Sequence, residues 1–262
     1  MSFEILTAGL VVEFTMKVGE NPAELLARTP RQNIPVDYFQ FYKSVSSVYS
    51  SKIEGEDIDF DSYFKHKFMN VEFKADYTKK ADDLFSAYTF IEKEKISIEN
   101  IKKAHAILSM NLLPNSQQGH IRTNPMYVIN DKDQIEYVAA GPYIVSNEFE
   151  KLMRDVDKLR DSNLNSYEVF YYAALIHLVF VKIHPFQDGN GRTARLLEKW
   201  FLIERMGLRA NDIELEKNYW THRVEYYQNI KKLGIEYDFL DYGKSLDFLM
   251  MTILAVKEKA ST

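Results

Sequence analysis

The twelve residues His184-Pro-Phe-Gln-Asp-Gly-Asn-Gly-Arg-Thr-Ala-Arg195 put a titratable base, a carboxylate, two glycines flanking an amide and two arginines on one tight turn. Packing alone does not require that mixture. His184 belongs to the side-chain type that titrates nearest neutrality, so it is a candidate general base toward a hydroxyl. Pro185 removes an N–H and fixes φ, which ends the preceding helix and aims the imidazole. Phe186 reads as an apolar anchor for the loop. Asp188 offers one hard oxygen ligand, suited to a magnesium ion that keeps several waters and takes its other ligands from phosphates. Gly189, Asn190 and Gly191 can present successive backbone N–H groups ahead of a helix, which makes an anion site. Arg192 and Arg195 share a face of that helix's first turn and can both fork onto phosphate oxygens. The helix dipole opposes cations at this end, so their placement implies a bound polyanion.

Three other readings of these residues fail on context. Gly189 to Ala194 matches the spacing G-x-G-x-x-A of a dinucleotide fingerprint, but that motif needs a strand before it, and Tyr167 to Ile183 is a long mixed apolar run ending at His184-Pro185. A calcium loop beginning at Asp188 would put Arg192, Thr193 and Lys199 where oxygen ligands, glycine and glutamate belong. An ordinary helix-turn-helix needs one helix-ending glycine, with no call for a histidine, a carboxylate and two arginines.

The segment resembles the active-site motif of Fic domain proteins, H-P-F-x-[DE]-G-N-G-R-x-x-R, at every fixed position. The resemblance implies a mostly helical protein that transfers adenosine monophosphate from ATP, with magnesium, to a Ser, Thr or Tyr hydroxyl of a target protein. It implies that His184 deprotonates that hydroxyl, Asp188 holds the metal, Gly189 to Arg192 grip the phosphates and Arg195 clamps the outer ones. It leaves other outcomes open: removal of adenylyl groups, transfer of another nucleotide, or a catalytically silent nucleotide-binding regulatory module. Relatives that phosphorylate their target carry lysine where this chain has Gly191, which disfavours that variant.

A second segment, Ser50-Ser-Lys-Ile-Glu-Gly55, lies far upstream. Phe41, Val45, Val48, Tyr49 and Ile53 recur at helical spacing, so Ser50 and Glu54 share a helix face and Gly55 ends the helix in the left-handed conformation. Alone, S-x-x-x-E-G reads as a solvated Ser and Glu. Beside the motif it resembles the inhibitory helix [ST]-x-x-x-E-[GN] of Fic proteins. A Glu54 carboxylate paired with Arg195 would occupy the donors that a terminal phosphate needs. In some relatives the same glutamate positions a water that removes the adenylyl group, so Glu54 is expected to be a brake, a hydrolytic residue, or both.

The elements that must position these groups read as helices almost throughout, an all-α fold with one β-hairpin. Helices are predicted at about 36–54, 58–67, 76–93 and 98–113, the last capped by Ser97. Others follow from Ser146, then over 167–183, over 193–206 with Gly207 as a stop, and at about 214–232 and 237–259. Residues 1–35 are ambiguous, with a β-rich run Leu10 to Met16 and a helix starting near Ala23 behind Asn21-Pro22. Met126 to Ile129 and Gln134 to Val138 read as two strands around the polar turn Asn130 to Asp133. In the family a hairpin flap docks the target's backbone as an added strand. That makes Met126, Val128, Ile129, Tyr137 and Val138 target-docking candidates, and Tyr226 and Tyr227 resemble positions that contact the adenine. The expected division is an N-terminal segment 1–70 containing the inhibitory helix, and a core 71–262 with the flap at 126–138 and the active-site loop at 184–192.

Composition narrows the class. At 262 residues and 46% hydrophobic content, the chain can bury a sizeable core. A formal charge of −5 with no dense Lys/Arg run argues against a nucleic-acid surface. There is no cysteine, so disulfides and thiolate metal sites are excluded. The N-terminus lacks the layout of a signal peptide, and the run Val169 to Val181 reads as too short and too polar to span a bilayer. The expectation is a cytoplasmic protein with no membrane contact and no appended DNA-binding module. Relatives often dimerise, so a homodimer is compatible with the resemblance. Of the six histidines, His66, His105, His120, His177 and His222 lack metal-ligand spacing, and His177 reads as a hydrogen-bonded core residue.

Overall fold

The computed structural model describes residues 2–30, 36–69, 71–72, 75–129 and 133–260. Its helices are α1 (Val11–Val18), α2 (Pro22–Arg28), α3 (Tyr38–Ile53), α4 (Phe60–Met69), α5 (Ala75–Ile91) and α6 (Ile98–Leu108). After a two-stranded hairpin come α7 (Val145–Arg160), α8 (Ser166–Ile183), α9 (Asn190–Met206), α10 (Leu215–Thr221), α11 (Arg223–Lys231) and α12 (Leu246–Ala260). The all-α expectation with a small hairpin holds.

Around α8 the rest is organised. Asn165 and Glu168 close a reciprocal capping box at its start. From Val169 to Ile183 nearly every side chain is buried, and the helix packs most extensively on α9, with α12, α7 and α1 on other faces. A helix apolar all round belongs in the middle of a core. By length and composition α8 could cross a membrane, a longer element than the run Val169 to Val181 suggested, yet 78% of it is buried inside the fold.

Residues Leu10 to Met16, expected to be extended, form most of α1. Phe14 and Val18, four apart, are buried against α8 and α12, while Val12 and Met16 face solvent. Burial of one helical stripe outweighs the β propensity of the valines. The helix start behind Asn21-Pro22 is as expected, with the Asn21 side chain accepting from Ala23 N. The predicted helix to 113 ends at Leu108, where the Ser109 hydroxyl bonds the His105 carbonyl at 2.6 Å and offers the chain an alternative to the ladder. Helix 214–232 divides at His222. The stretch from 237 begins as short 3₁₀ turns before α12.

α3 is part of the core. Ser44, Ser47, Val48, Ser50 and Ile53 are all fully buried, and the helix packs on α10, α5 and α4. Buried serine hydroxyls are tolerated where they find partners, Ser44 and Ser47 on their own backbone and Ser46 on Glu216. The hairpin pairs β1 (Tyr127–Ile129) with β2 (Ile135–Val138) antiparallel, Val128 opposite Tyr137, with a register shift between Val128 and Ile129. Residues 130–132 of the predicted turn lie outside the described residues. A lone hairpin needs packing, and Tyr137 supplies it: buried, it donates its hydroxyl to the Lys182 carbonyl at 2.6 Å.

Candidate active site

The loop between α8 and α9 is shaped by its own side chains. His184 caps α8 in the left-handed conformation, φ 55°, uncommon for a residue with a Cβ and a mark of a site held by its surroundings. Gly189, φ 76°, opens α9 at no such cost. Asn190 clips the loop shut, its side chain accepting from Phe186 N at 2.9 Å and donating to Phe186 O at 2.8 Å. That buried amide is spent on the loop, so what Asn190 can offer an anion is its backbone N–H. α9 begins three residues earlier than predicted, which puts the unpaired N–H groups of its first turn at Gly191 and Arg192.

Two residues that sequence reasoning passed over hold this loop. His105 is fully buried and stacks on Phe186 with centroids 3.7 Å apart. Gly119 N donates to its Nδ1, so the other nitrogen carries the proton and donates to Asp188 O at 2.9 Å. Arg122, also buried, donates Nε to His184 O at 2.7 Å and its terminal nitrogens to Asn124 O, Ala140 O and Ile183 O. Its backbone N–H reaches Pro185 O. A cation suits the carbonyl end of α8, and this one joins the loop to both ends of the hairpin. Nothing local in the sequence marks either residue.

His184 Nδ1 lies 3.2 Å from Val181 O. A carbonyl only accepts, so Nδ1 carries the proton and Nε2 keeps its lone pair. Burial draws its pKa down to about 4, with Arg122 adding to the effect and the Val181 bond opposing it. It is therefore neutral and able to accept a proton at ordinary pH. His105 is likewise lowered to about 4 by burial.

Both shifts bear on stability. Between about 4 and the ordinary histidine value of 6.5, the unfolded chain binds more protons at these sites than the folded one. Stability thus rises with pH across that window and is lost as pH falls through it. For fully buried His105 the loss by pH 5 is on the order of 2 kcal/mol. The urea midpoint is expected to drop between pH 7 and pH 5, and to drop less in His105→Gln. A midpoint that does not move over that range would contradict the assignment.

Ser50 and Glu54 meet the motif at Arg195, as expected. Arg195, 1% exposed, donates Nη2 to Glu54 Oε1 at 2.6 Å. The contact is single, and Ser50 takes further donors of the guanidinium: its hydroxyl accepts from Nε at 2.9 Å and its carbonyl from Nη2 at 3.1 Å. Burial pushes Glu54 upward in pKa, but Arg195 and Arg192 outweigh it and the net direction is down. Gly55, φ 91°, follows immediately and lets the chain turn away. Beyond it Glu56 reaches Arg192 at 3.4 Å and Lys80 at 2.5 Å. Arg192 Nε is buried without a partner, an unmet donor beside the loop. A Cβ on Gly191 would fall 2.5 Å from Glu54 Oε1; the carboxylate lies directly against the first turn of α9.

Glu54, His184, Gly191, Arg195, Tyr226, Tyr227 and the flap residues Val128 and Tyr137 line one cavity of about 250 Å³. A larger cavity, about 520 Å³ near Pro30 and Lys259, holds none of the motif residues. The two tyrosines expected to contact adenine both line this cavity but are held differently. Tyr226 is buried with its hydroxyl between His177 and Arg195, whereas Tyr227 is half-buried and donates to Ile53 O at 3.2 Å. Of the docking candidates, Val128 and Ile129 are exposed, Met126 and Val138 half-buried and Tyr137 turned inward; Tyr127 and Ile135, not singled out from sequence, are also exposed. Val138 is further engaged by a parallel bridge to Glu236.

Asp188 is exposed, and its Oδ1 accepts from Gly189 N at 2.6 Å. Among the described residues no group of three or more His, Cys, Asp or Glu could hold a metal. One carboxylate beside an anion cradle fits a magnesium ion held mainly by water and phosphate oxygens, and does not fit an all-protein cage.

Residues 95–202 match the model of the Fic/DOC family. Protein adenylyltransferase fic-1 of Caenorhabditis elegans is 33% identical over 139 residues, 53% of this chain and 24% of that protein. Protein adenylyltransferase Fic of Drosophila melanogaster is 31% identical over 115 residues, 44% of this chain and 21% of that protein. The chain thus spans about a quarter of the length of these curated relatives. Among solved structures, a Fic family protein from Desulfovibrio desulfuricans G20 aligns with a TM-score of 0.77 at 17% identity, covering 100% of this chain and 76% of that one. Fic-1 from C. elegans aligns at 0.67 and 19% identity, covering 97% and 72%.

Proposed function

We propose that this chain, whose residues 95–202 match the Fic/DOC family, transfers adenosine monophosphate from ATP to a hydroxyl of a target protein, restrained by Glu54. One observation carries the reading: a neutral imidazole, the first turn of α9, Arg195 and the carboxylate that contests it all face a single cavity.

His184 Nε2 takes the proton of the attacking hydroxyl as that oxygen closes on the α-phosphate. The N–H groups of Gly191 and Arg192, with the Arg192 guanidinium, hold the charge that builds on the phosphate oxygens. Arg195 grips the outer phosphates and so fixes the bond to be broken in line with the attacking oxygen. Pyrophosphate leaves. Asp188 would hold a magnesium ion, whose contribution is to neutralise phosphate charge. The exposed β1 strand, Tyr127–Ile129, beside the cavity offers a target segment an edge on which to lie as a third strand.

A second reading rests on the position of Glu54: 28% exposed at its side chain and in the same cavity as His184, it could hold a water for hydrolytic removal of an adenylyl group. The two readings separate in one experiment. The chain is incubated with ATP and magnesium, with and without added EDTA, and intact mass is recorded on it and on hydroxyl-bearing candidate proteins. The expected result is an added adenosine monophosphate that EDTA prevents. If no mass is added, and a previously adenylylated protein loses its label instead, hydrolysis is the activity.

A further inference from the structure

From Tyr226 in the cavity wall, a line of buried polar groups runs inward behind Arg195, and phosphate binding and inhibition leave it unused. Arg195 Nη1 lies 3.4 Å from the Tyr226 hydroxyl, which lies 3.0 Å from His177 Nε2; His177 Nδ1 lies 2.6 Å from Glu198 Oε2. Tyr226, His177 and Glu198 are all at most 1% exposed. Glu198 also accepts the hydroxyls of Tyr219 at 2.9 Å and Thr252 at 2.7 Å.

The hydrogens along this line can run in only one sense. Arg195 always donates, so the Tyr226 oxygen must accept from it and turn its own hydrogen elsewhere. His177 Nε2 takes that hydrogen only as a bare lone pair, which requires the proton on Nδ1. Glu198, an acceptor when ionised, holds it there. In the opposite tautomer Nε2–H would point at the Tyr226 oxygen, turn the phenol hydrogen toward the guanidinium and set two donors face to face. The other contacts of Arg195, from Ser50 and Glu54, come from α3 and its C-cap, and that capping glutamate must yield to the nucleotide. The Tyr226 contact comes from α11 and does not depend on that exchange.

We infer that Glu198, acting through His177 and Tyr226, is a positioning residue that sets the guanidinium of Arg195 for the outer phosphates of the nucleotide. The inference rests on the reading of Arg195 given under the proposed function. A polar line that is satisfied at every member fixes one geometry and transmits the loss of any member.

The test uses the full chain in the Glu54→Gly background, with Tyr226→Phe and Glu198→Gln added separately and binding measured by calorimetry with magnesium present. Each is expected to weaken ATP roughly 5- to 20-fold, as for loss of one charge-assisted contact, and to leave AMP, which lacks the outer phosphates, within about twofold. An equal loss for ATP and AMP would mean that the line only packs the core, and unchanged ATP affinity would likewise overturn the inference. Nitrogen NMR of the imidazole in the unmutated chain decides independently of nucleotide: the expected state is neutral His177 protonated at Nδ1. A proton on Nε2 overturns the inference even if ATP binds. Absence of ATP binding together with the Nδ1 tautomer would sink the nucleotide reading of the site and leave the ordering of Arg195 standing.

Discussion

Replacing Glu54 with glycine is expected to raise adenylyl transfer by about 10- to 100-fold at fixed ATP. The size of the rise follows from the bond that glycine removes, which joins a carboxylate at 2.6 Å to a guanidinium that is 1% exposed. A hydrogen bond to a charged group contributes roughly 1.5 to 3 kcal/mol, and each 1.36 kcal/mol is about tenfold. Glycine also clears the space against Gly191, where the carboxylate now lies. Because Glu54 caps the end of its helix and is followed by a left-handed glycine, the change is expected to cost little stability. The gain should fall mainly in KM for ATP, since the competitor removed is a phosphate mimic. Glu54→Gln, which keeps the shape and loses the charge, should lie between. Equal rates in wild type and Glu54→Gly would end the idea of a brake.

The sign of the pH effect is fixed too. Arg195 and Arg192 hold Glu54 below its ordinary value despite its burial. The pair is therefore intact above the ordinary carboxylate range and is released only as pH falls through the depressed pKa. The ratio of the Glu54→Gly rate to the wild-type rate is expected to stay constant from about pH 6 to 8. A ratio that collapses within that range would show that something other than this carboxylate sets it.

The second large effect is the loss of the base. In the Glu54→Gly background, His184→Ala is expected to lower kcat by about 10²- to 10⁴-fold, the range for removal of a positioned general base. Binding of ATP should change little if, as proposed, the imidazole serves the attacking hydroxyl and not the outer phosphates. Burial holds its pKa near 4, so the rate of the parent should be flat from about pH 6 upward, with no inflection near 6.5. Comparable loss of ATP affinity and kcat would assign His184 to nucleotide binding instead.

Much of the site is legible in the sequence because its signals are local. A helix-ending proline, a left-handed glycine, a carboxylate and two arginines within one turn read directly, and S-x-x-x-E-G finds its partner 141 residues away. What escapes depends on long-range closure. The guanidinium of Arg122 is spent on the backbone, and its reach to His184 O and Ala140 O spans 62 and 18 residues. His105 reads as a lone helix histidine until the chain brings Gly119 and Asp188 to its two nitrogens. Residues 10–16 mislead for the same reason: valine-rich sequence favours a strand until α8 and α12 offer Phe14 and Val18 a common face. The start of α9 falls three residues before the predicted one at Thr193, because Asn190, a polar residue that closes the loop, also belongs to the first turn of the helix.

α3 is buried along most of its length, and only the carboxylate of Glu54, which caps its end, reaches the cavity. Such a helix cannot swing away without opening the interior, so access to the cavity is not governed by a mobile arm. The moving part shrinks to one side chain on a fixed frame, released when its bond to Arg195 breaks. Occupancy of the cavity then follows the supply of the competing ligand, lowered by the fraction of time the carboxylate stands aside. On the proposed reading the chain would behave as a concentration gauge for its own nucleotide, reset as quickly as that supply changes.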